Sequence, residues 1–297
     1  MSTSLATPAP TVPALRDILA LSKPVTWFPP MWAFMCGVVS SGGSFETRWP
    51  FMVAGMLLAG PLVCGTSQMV NDWFDRHVDA INEPNRPIPS GRIPGRWGLW
   101  LAIGGSVISL VVGAAIGPWV LLATFGGLLS GWAYSAPPMR LKLSGWWGPA
   151  AVALSYEGLS WFTGAAAMTG TLPVPHVLIV IALYSLGAHG IMTLNDFKAV
   201  EGDRVMGVRS LPVTLGVERA ARLACAVMAV PQVVVAALLF AWGDTYSALV
   251  VVAVLLAQFA CMPKLLREPK ANTPWYNGTG VTLYVSGMLA AAFGLAA

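Results

Sequence analysis

Residues 51–91 read FMVAGMLLAGPLVCGTSQMVNDWFDRHVDAINEPNRPIPSG. The first half is a mostly apolar run, and an α-helix needs about 20 such residues to cross a bilayer. The second half opens with Asn71 and carries Asp72, Asp75 and Asp79, followed by Arg86. Positions i, i+3 and i+7 share one helix face. The stretch therefore predicts a membrane helix that ends in concentrated negative charge, with cations close behind it. Three like charges on one face repel, so the arrangement calls for a compensating cation.

Working outward from this stretch, the chain has 297 residues, of which 56% are hydrophobic and 10% charged. A soluble domain carries about 25% charged residues, so a large soluble helical protein is excluded. Apolar stretches recur at roughly 25–41, 50–70, 97–116, 118–134, 147–168, 175–194, 219–240, 246–263 and 275–296. Prolines such as Pro24, Pro29 and Pro30 in the first stretch are tolerated because neighbouring helices satisfy the freed backbone groups. The predicted fold is all-α: a polytopic membrane bundle of nine transmembrane helices. Residues 1–14, rich in Ser, Thr, Pro and Ala, read as a disordered tail. Residues 15–297 read as one transmembrane domain, entered through a short amphipathic segment, Leu15 to Leu21.

Orientation follows from the basic residues, which collect in cytoplasmic loops. With nine spans, sixteen of the 17 Lys and Arg residues fall on one side and Arg48 alone on the other. The N-terminus is then cytoplasmic and the C-terminus lies across the membrane. The net charge of +4 reflects this basic face. No motif points to nucleic acid.

A second acidic stretch, NDFKAVEGDRVMGVRSLPVTLG at 195–216, follows another apolar run on the same side. Asn71 and Asp72 match Asn195 and Asp196, Asp79 matches Asp203, and Arg86 roughly matches Arg209. This pseudo-repeat predicts a site built between two related halves. The middle carboxylate is missing from the second copy, where Ala199 stands. Oxygen donors without a His/Cys cluster favour a hard cation, Mg²⁺ over Zn²⁺. Mg²⁺ binds through a few carboxylates and substrate phosphates, and neighbouring Arg and Lys residues suit the remaining phosphate oxygens.

The stretch NDWFDRHVDAINEPNRPIPSG resembles the N-D-x-x-D-x-x-x-D signature of the UbiA superfamily of intramembrane prenyltransferases. The run from Asn195 to Asp203 resembles that family's second aspartate motif. NDFKAVEGDR at 195–204, YSAPPMRLK at 134–142 and LSYEGL at 154–159 look like its chlorophyll and bacteriochlorophyll synthase branch.

The resemblance implies prenyl transfer from geranylgeranyl or phytyl diphosphate to the propionate of (bacterio)chlorophyllide, with Mg²⁺ as cofactor. It implies Asp72, Asp75, Asp79, Asp196 and Asp203 as catalytic carboxylates. The metal falls to Asp72, Asp75, Asp79 and Asp196, with Asn71, Asn195 and Asp203 as direct or water-mediated ligands. Arg86, Arg140, Lys142, Lys198, Arg204 and Arg209 are candidates for the diphosphate, with Tyr134 as a hydrogen-bond donor. Glu157, inside the fifth stretch, and His189 are candidate acceptor contacts, each weighed against a packing role. The expected setting is a bacterial inner or photosynthetic membrane, with lipid and pigment-assembly proteins as further partners. Two alternatives stay open at this point. One is a prenyltransferase for another acceptor (a quinone precursor, haem or a glycerol phosphate lipid), and the other is a secondary transporter built from repeats.

Overall fold

The computed structural model describes residues 12–296. The expected tail at 1–14 falls mostly outside them, and residues 12–14 lead without regular structure into the first helix. Apart from one isolated parallel bridge between Ser144 and Arg209, regular structure among the described residues is helical.

Helix α1 (Leu15–Leu21) is the short amphipathic approach, and α2 (Phe28–Ser40) starts the bundle. Next comes one long body: α3 (Phe45–Leu57), a π-helical turn at Leu58–Cys64, and α4 (Gly65–Asn82). Pro61 lies in that turn, where a missing backbone N–H favours a wider turn. Helices α5 (Trp97–Ile116) and α6 (Pro118–Ser135) follow, the second opening on a proline whose fixed φ suits a first helical turn. A second broken body comprises α7 (Trp147–Ala153), a π turn at Leu154–Leu159, and α8 (Ser160–Thr169). Helix α9 (Pro175–Asn195) leads to two short pieces, α10 (Val200–Val205) and α11 (Leu211–Leu215). The chain closes with α12 (Val217–Ala241), α13 (Thr245–Arg267), α14 (Pro269–Gly278) and α15 (Gly280–Leu295).

Among the described residues, six helical bodies are long and apolar enough to cross a membrane: Phe45–Asn82, Trp97–Ile116, Pro175–Lys198, Val217–Ala241, Thr245–Arg267 and Pro269–Leu295. The chain is thus a multi-pass membrane protein. The remaining apolar stretches are occupied by α2, α6 and the α7–α8 body.

Two details differ from the sequence expectation. The helix expected at 50–70 continues to Asn82, because nothing breaks it before Pro84, which pushes Glu83 out of helical geometry (φ −139°, ψ 57°). The first acidic stretch is therefore part of the same rod as the span. The second is not one helix. Asn195 ends α9, a 3₁₀ turn takes Asp196–Lys198, and Ala199 (φ −109°, ψ 4°) separates it from α10. Asp196 and Asp203 therefore do not share a continuous helical face.

Packing forms two apolar clusters. The larger centres on Trp161, Tyr184 and Tyr284. There the Trp161 and Tyr184 rings stack at 5.7 Å, and the Tyr284 hydroxyl donates to the Tyr184 carbonyl at 2.6 Å. The smaller cluster joins Phe34, Leu58, Val120 and Met168. Helices α2 and α8 meet backbone to backbone. A Cβ on Gly37 would lie 2.0 Å from the Trp161 carbonyl oxygen, and one on Gly164 would lie 2.0 Å from that of Phe34. Small residues of this kind allow close helix approach in lipid, where hydrophobic driving force between helices is weak.

Candidate active site

Helix α4 presents Asp72, Asp75 and Asp79 on one face, and the chain answers each with a cation. Lys23 Nζ sits 2.6 Å from Asp72 Oδ1. Arg86 Nη1 reaches the same oxygen at 3.3 Å and Asp79 Oδ2 at 2.8 Å. Lys142 pairs with Asp75, whose other oxygen accepts from Asn71 Nδ2 at 3.0 Å. Asp72 is 1% exposed, and its Oδ2 is buried with no partner among the described residues. The pairing shows in the cations themselves. Burial alone would lower the Arg86 guanidinium, but Asp72, Asp79 and Glu83 hold it above its ordinary value. For Lys142 burial prevails, and the ammonium is lowered although Asp75 opposes the shift.

The second stretch reaches the same place from the other half. Asn71 and Asn195 line one cavity. The Tyr134 phenol at the end of α6 stands in the field of Asp75, Asp196 and Asp203 together. Asp203 is buried in α10, and burial raises its carboxyl. The links that carry these groups are tied to each other. Gly145 donates to the Arg209 carbonyl at 2.8 Å, and the Arg209 amide donates to Leu143 at 3.0 Å. Lys198, Arg204 and Arg209 are exposed at this rim and, with Arg140, make no ion pair among the described residues.

The cavity measures about 580 Å³. From Asn71, Tyr134 and Asn195 it runs inward past Gln68 and Tyr156 to apolar walls that include Ala59, Val63, Ile191 and Val285. Glu157 lines it and is 4% exposed. His189 does not line it. Its Nε2 lies 3.1 Å from the Trp146 carbonyl, and its ring packs at 5.7 Å against that indole.

Lys23 is the site residue that sequence reasoning missed. It and Arg140 are the non-glycine residues with positive φ among the described residues (47° and 39°). Such strain persists where the surroundings impose it, often at functional sites. The signal in the sequence was faint: a lysine in LSKP at the entry to the first span.

Among the described residues, no three acidic, His or Cys side chains converge into a ready-made metal cage. The donors present are carboxylate and amide oxygens, one of them, Asp72 Oδ2, buried and unpartnered. That set fits Mg²⁺, which takes one or two carboxylates and completes its shell with water and substrate phosphate.

The family model described as the UbiA prenyltransferase family matches residues 27–295. The bacteriochlorophyll synthase 33 kDa chain of Cereibacter sphaeroides is 58% identical over 295 residues, spanning 99% of this chain and 98% of the relative. The chloroplastic chlorophyll synthase of Arabidopsis thaliana is 40% identical, covering 92% of this chain and 73% of its own length. A solved UbiA homolog from Archaeoglobus fulgidus bound to DMAPP and Mg²⁺ shares the fold, with a TM-score of 0.70 at 21% identity over 94% of this chain and 98% of that one. Matched from its first span to its last, the chain belongs to the UbiA prenyltransferase family, in the branch of the bacteriochlorophyll and chlorophyll synthases.

Proposed function

We propose that this prenyltransferase moves a geranylgeranyl or phytyl group from its diphosphate to the propionate carboxylate of (bacterio)chlorophyllide, in a Mg²⁺-dependent reaction that releases diphosphate. One juxtaposition carries the reading. Cation-paired carboxylates stand beside Asn71, which bonds Asp75 and lines a largely apolar chamber, in a chain whose end-to-end relatives are bacteriochlorophyll synthase chains.

Asp72, Asp75, Asp79 and Asp196 are the residues that would hold the metal, with Asn71, Asn195 and Asp203 as direct or water-mediated ligands. When bound, Mg²⁺ neutralises charge that builds on the leaving diphosphate. Arg86 and Lys142, joined by Lys23, turn from the carboxylates toward the phosphate oxygens. Arg140, Lys198, Arg204 and Arg209 add positive charge at the rim, and Tyr134 donates a hydrogen bond. The allylic C–O bond breaks with its electron pair leaving on diphosphate. The acceptor carboxylate, ionised near neutral pH, gives its own pair to the allylic carbon, so the protein need not move a proton. Chain residues then act by positioning both substrates. Ala59, Val63 and Ile191 keep out water, which would otherwise turn the prenyl group into an alcohol.

The same reading has nine membrane crossings, a cytoplasmic N-terminus and a bacterial inner membrane. Its support is the basic residues, sixteen of 17 of which fall on one side under that topology.

The test is a matrix of prenyl diphosphates against acceptors with Mg²⁺, run on wild type and Asp72→Asn. The expected result is tetrapyrrole ester from wild type and a loss of about 10²–10³-fold in the variant, the scale of removing one charge-stabilising group, with normal membrane yield. Transfer to another acceptor class alone would refute the assignment.

A further inference from the structure

The proposed reaction leaves a polar feature of the chamber wall without a task. Three consecutive residues, Ser155, Tyr156 and Glu157, all line the cavity. In an α-helix successive side chains diverge by about 100°, and the π turn at Leu154–Leu159 narrows that divergence. Tyr156 is satisfied: its hydroxyl accepts from the Gln68 amide at 3.1 Å and meets the Cys64 thiol at 3.3 Å. Its two neighbours are not. Ser155 Oγ and Glu157 Oε2 are both buried without a hydrogen-bond partner among the described residues. Leaving a buried polar atom unpaired is costly, and an ionisable group at membrane depth is a functional candidate by default.

Their depth says which ligand they serve. Tyr156, which stands between them in sequence, bonds Gln68 on α4, four residues and so about 6 Å along that helix from Asp72, and Glu157 lies on the interior side of the charged mouth. The diphosphate is held at that mouth. A prenyl chain is hydrocarbon and satisfies neither atom. The occupant that brings oxygen atoms this far into an apolar chamber is the acceptor macrocycle, whose rim carries carbonyl groups apart from the reacting propionate. We infer that the Ser155 hydroxyl and Glu157, buried as the neutral acid, both donate to a rim carbonyl of the tetrapyrrole acceptor, and that this pair sets acceptor specificity. The inference rests on the proposed function and adds to it where the acceptor is read.

The test uses the full-length protein in lipid nanodiscs, with Glu157→Leu, Glu157→Gln and Ser155→Ala. Chlorophyllide binding is followed by quenching of tryptophan fluorescence, and geranylgeranyl diphosphate binding by calorimetry with Mg²⁺ present. Glu157→Leu should weaken chlorophyllide about tenfold or more and leave the diphosphate Kd unchanged. Glu157→Gln, which keeps polar atoms in place, should recover most of the loss, and Ser155→Ala should show a smaller loss of the same kind. Chlorophyllide whose ring ketone has been reduced with borohydride should bind wild type more weakly, yet bind Glu157→Leu no worse than the parent compound. Unchanged chlorophyllide affinity in Glu157→Leu overturns the inference, as does an equal loss for both ligands. Wild type that esterifies chlorophyllide while Glu157→Leu matches it in every measurement sinks this inference alone. Wild type that neither binds nor esterifies a tetrapyrrole sinks the functional reading and the subsite together.

Discussion

Asp72 has Lys23 and Arg86 on one oxygen and, among the described residues, nothing on the other. That asymmetry leaves a coordination position free while the charge stays compensated. Lys23→Ala separates two roles for its partner. If Lys23 engages diphosphate during turnover, KM for the prenyl diphosphate rises about tenfold, the value of one charge-assisted hydrogen bond, and folding is preserved. If it only balances Asp72, KM holds and thermal stability in detergent falls. The carboxylates were legible in the sequence because their spacing alone places them on one face. Lys23 was not, because its position depends on an approach between residues 49 apart and on a left-handed backbone that no local pattern announces. His189 illustrates the converse. Helical rotation sets its ring against Trp146, and it does not line the chamber.

Elements contribute through close approach and through local breaks. Helices α2 and α8 touch at Gly37 and Gly164, where there is no room for a side chain. Gly164→Val should cost about 3 kcal/mol or more, because the clash is with backbone that cannot rotate away. The readout is loss of the monodisperse peak in size-exclusion chromatography, with Gly104→Ala, whose Cβ would meet nothing within 4 Å, as the tolerated control. Apolar stretches predicted the helices well, since lipid leaves the backbone few other ways to satisfy its polar groups. The π turns at Leu58–Cys64 and Leu154–Leu159 escape the same logic: they keep the chain helical and alter only its pitch. The split of the second acidic stretch at Ala199 also escaped, because alanine is a good helix former and gives no local signal for a break.

On the scale of the whole molecule, the proposed topology puts the two termini on opposite faces. Reporter fusions should be active in the cytoplasm at the N-terminus and across the membrane at the C-terminus, and matching activity on one side would reveal an even number of crossings. Each acidic stretch sends its asparagine, Asn71 or Asn195, to one cavity, so the charged chemistry stays at the edge while the bundle supplies the apolar interior. The internal pairing of three acids with Lys23, Arg86 and Lys142 has a thermodynamic outcome. A lone divalent ion meets the ammonium and guanidinium groups, and a lone diphosphate meets the aspartates, so each is repelled by the partner the other would displace. Arriving together, the two exchange every internal ion pair for a new one. Titration calorimetry should therefore find weak heats for Mg²⁺ or geranylgeranyl diphosphate added singly and strong mutual dependence when both are present. Independent, additive affinities would show that the resting pairs do not govern loading.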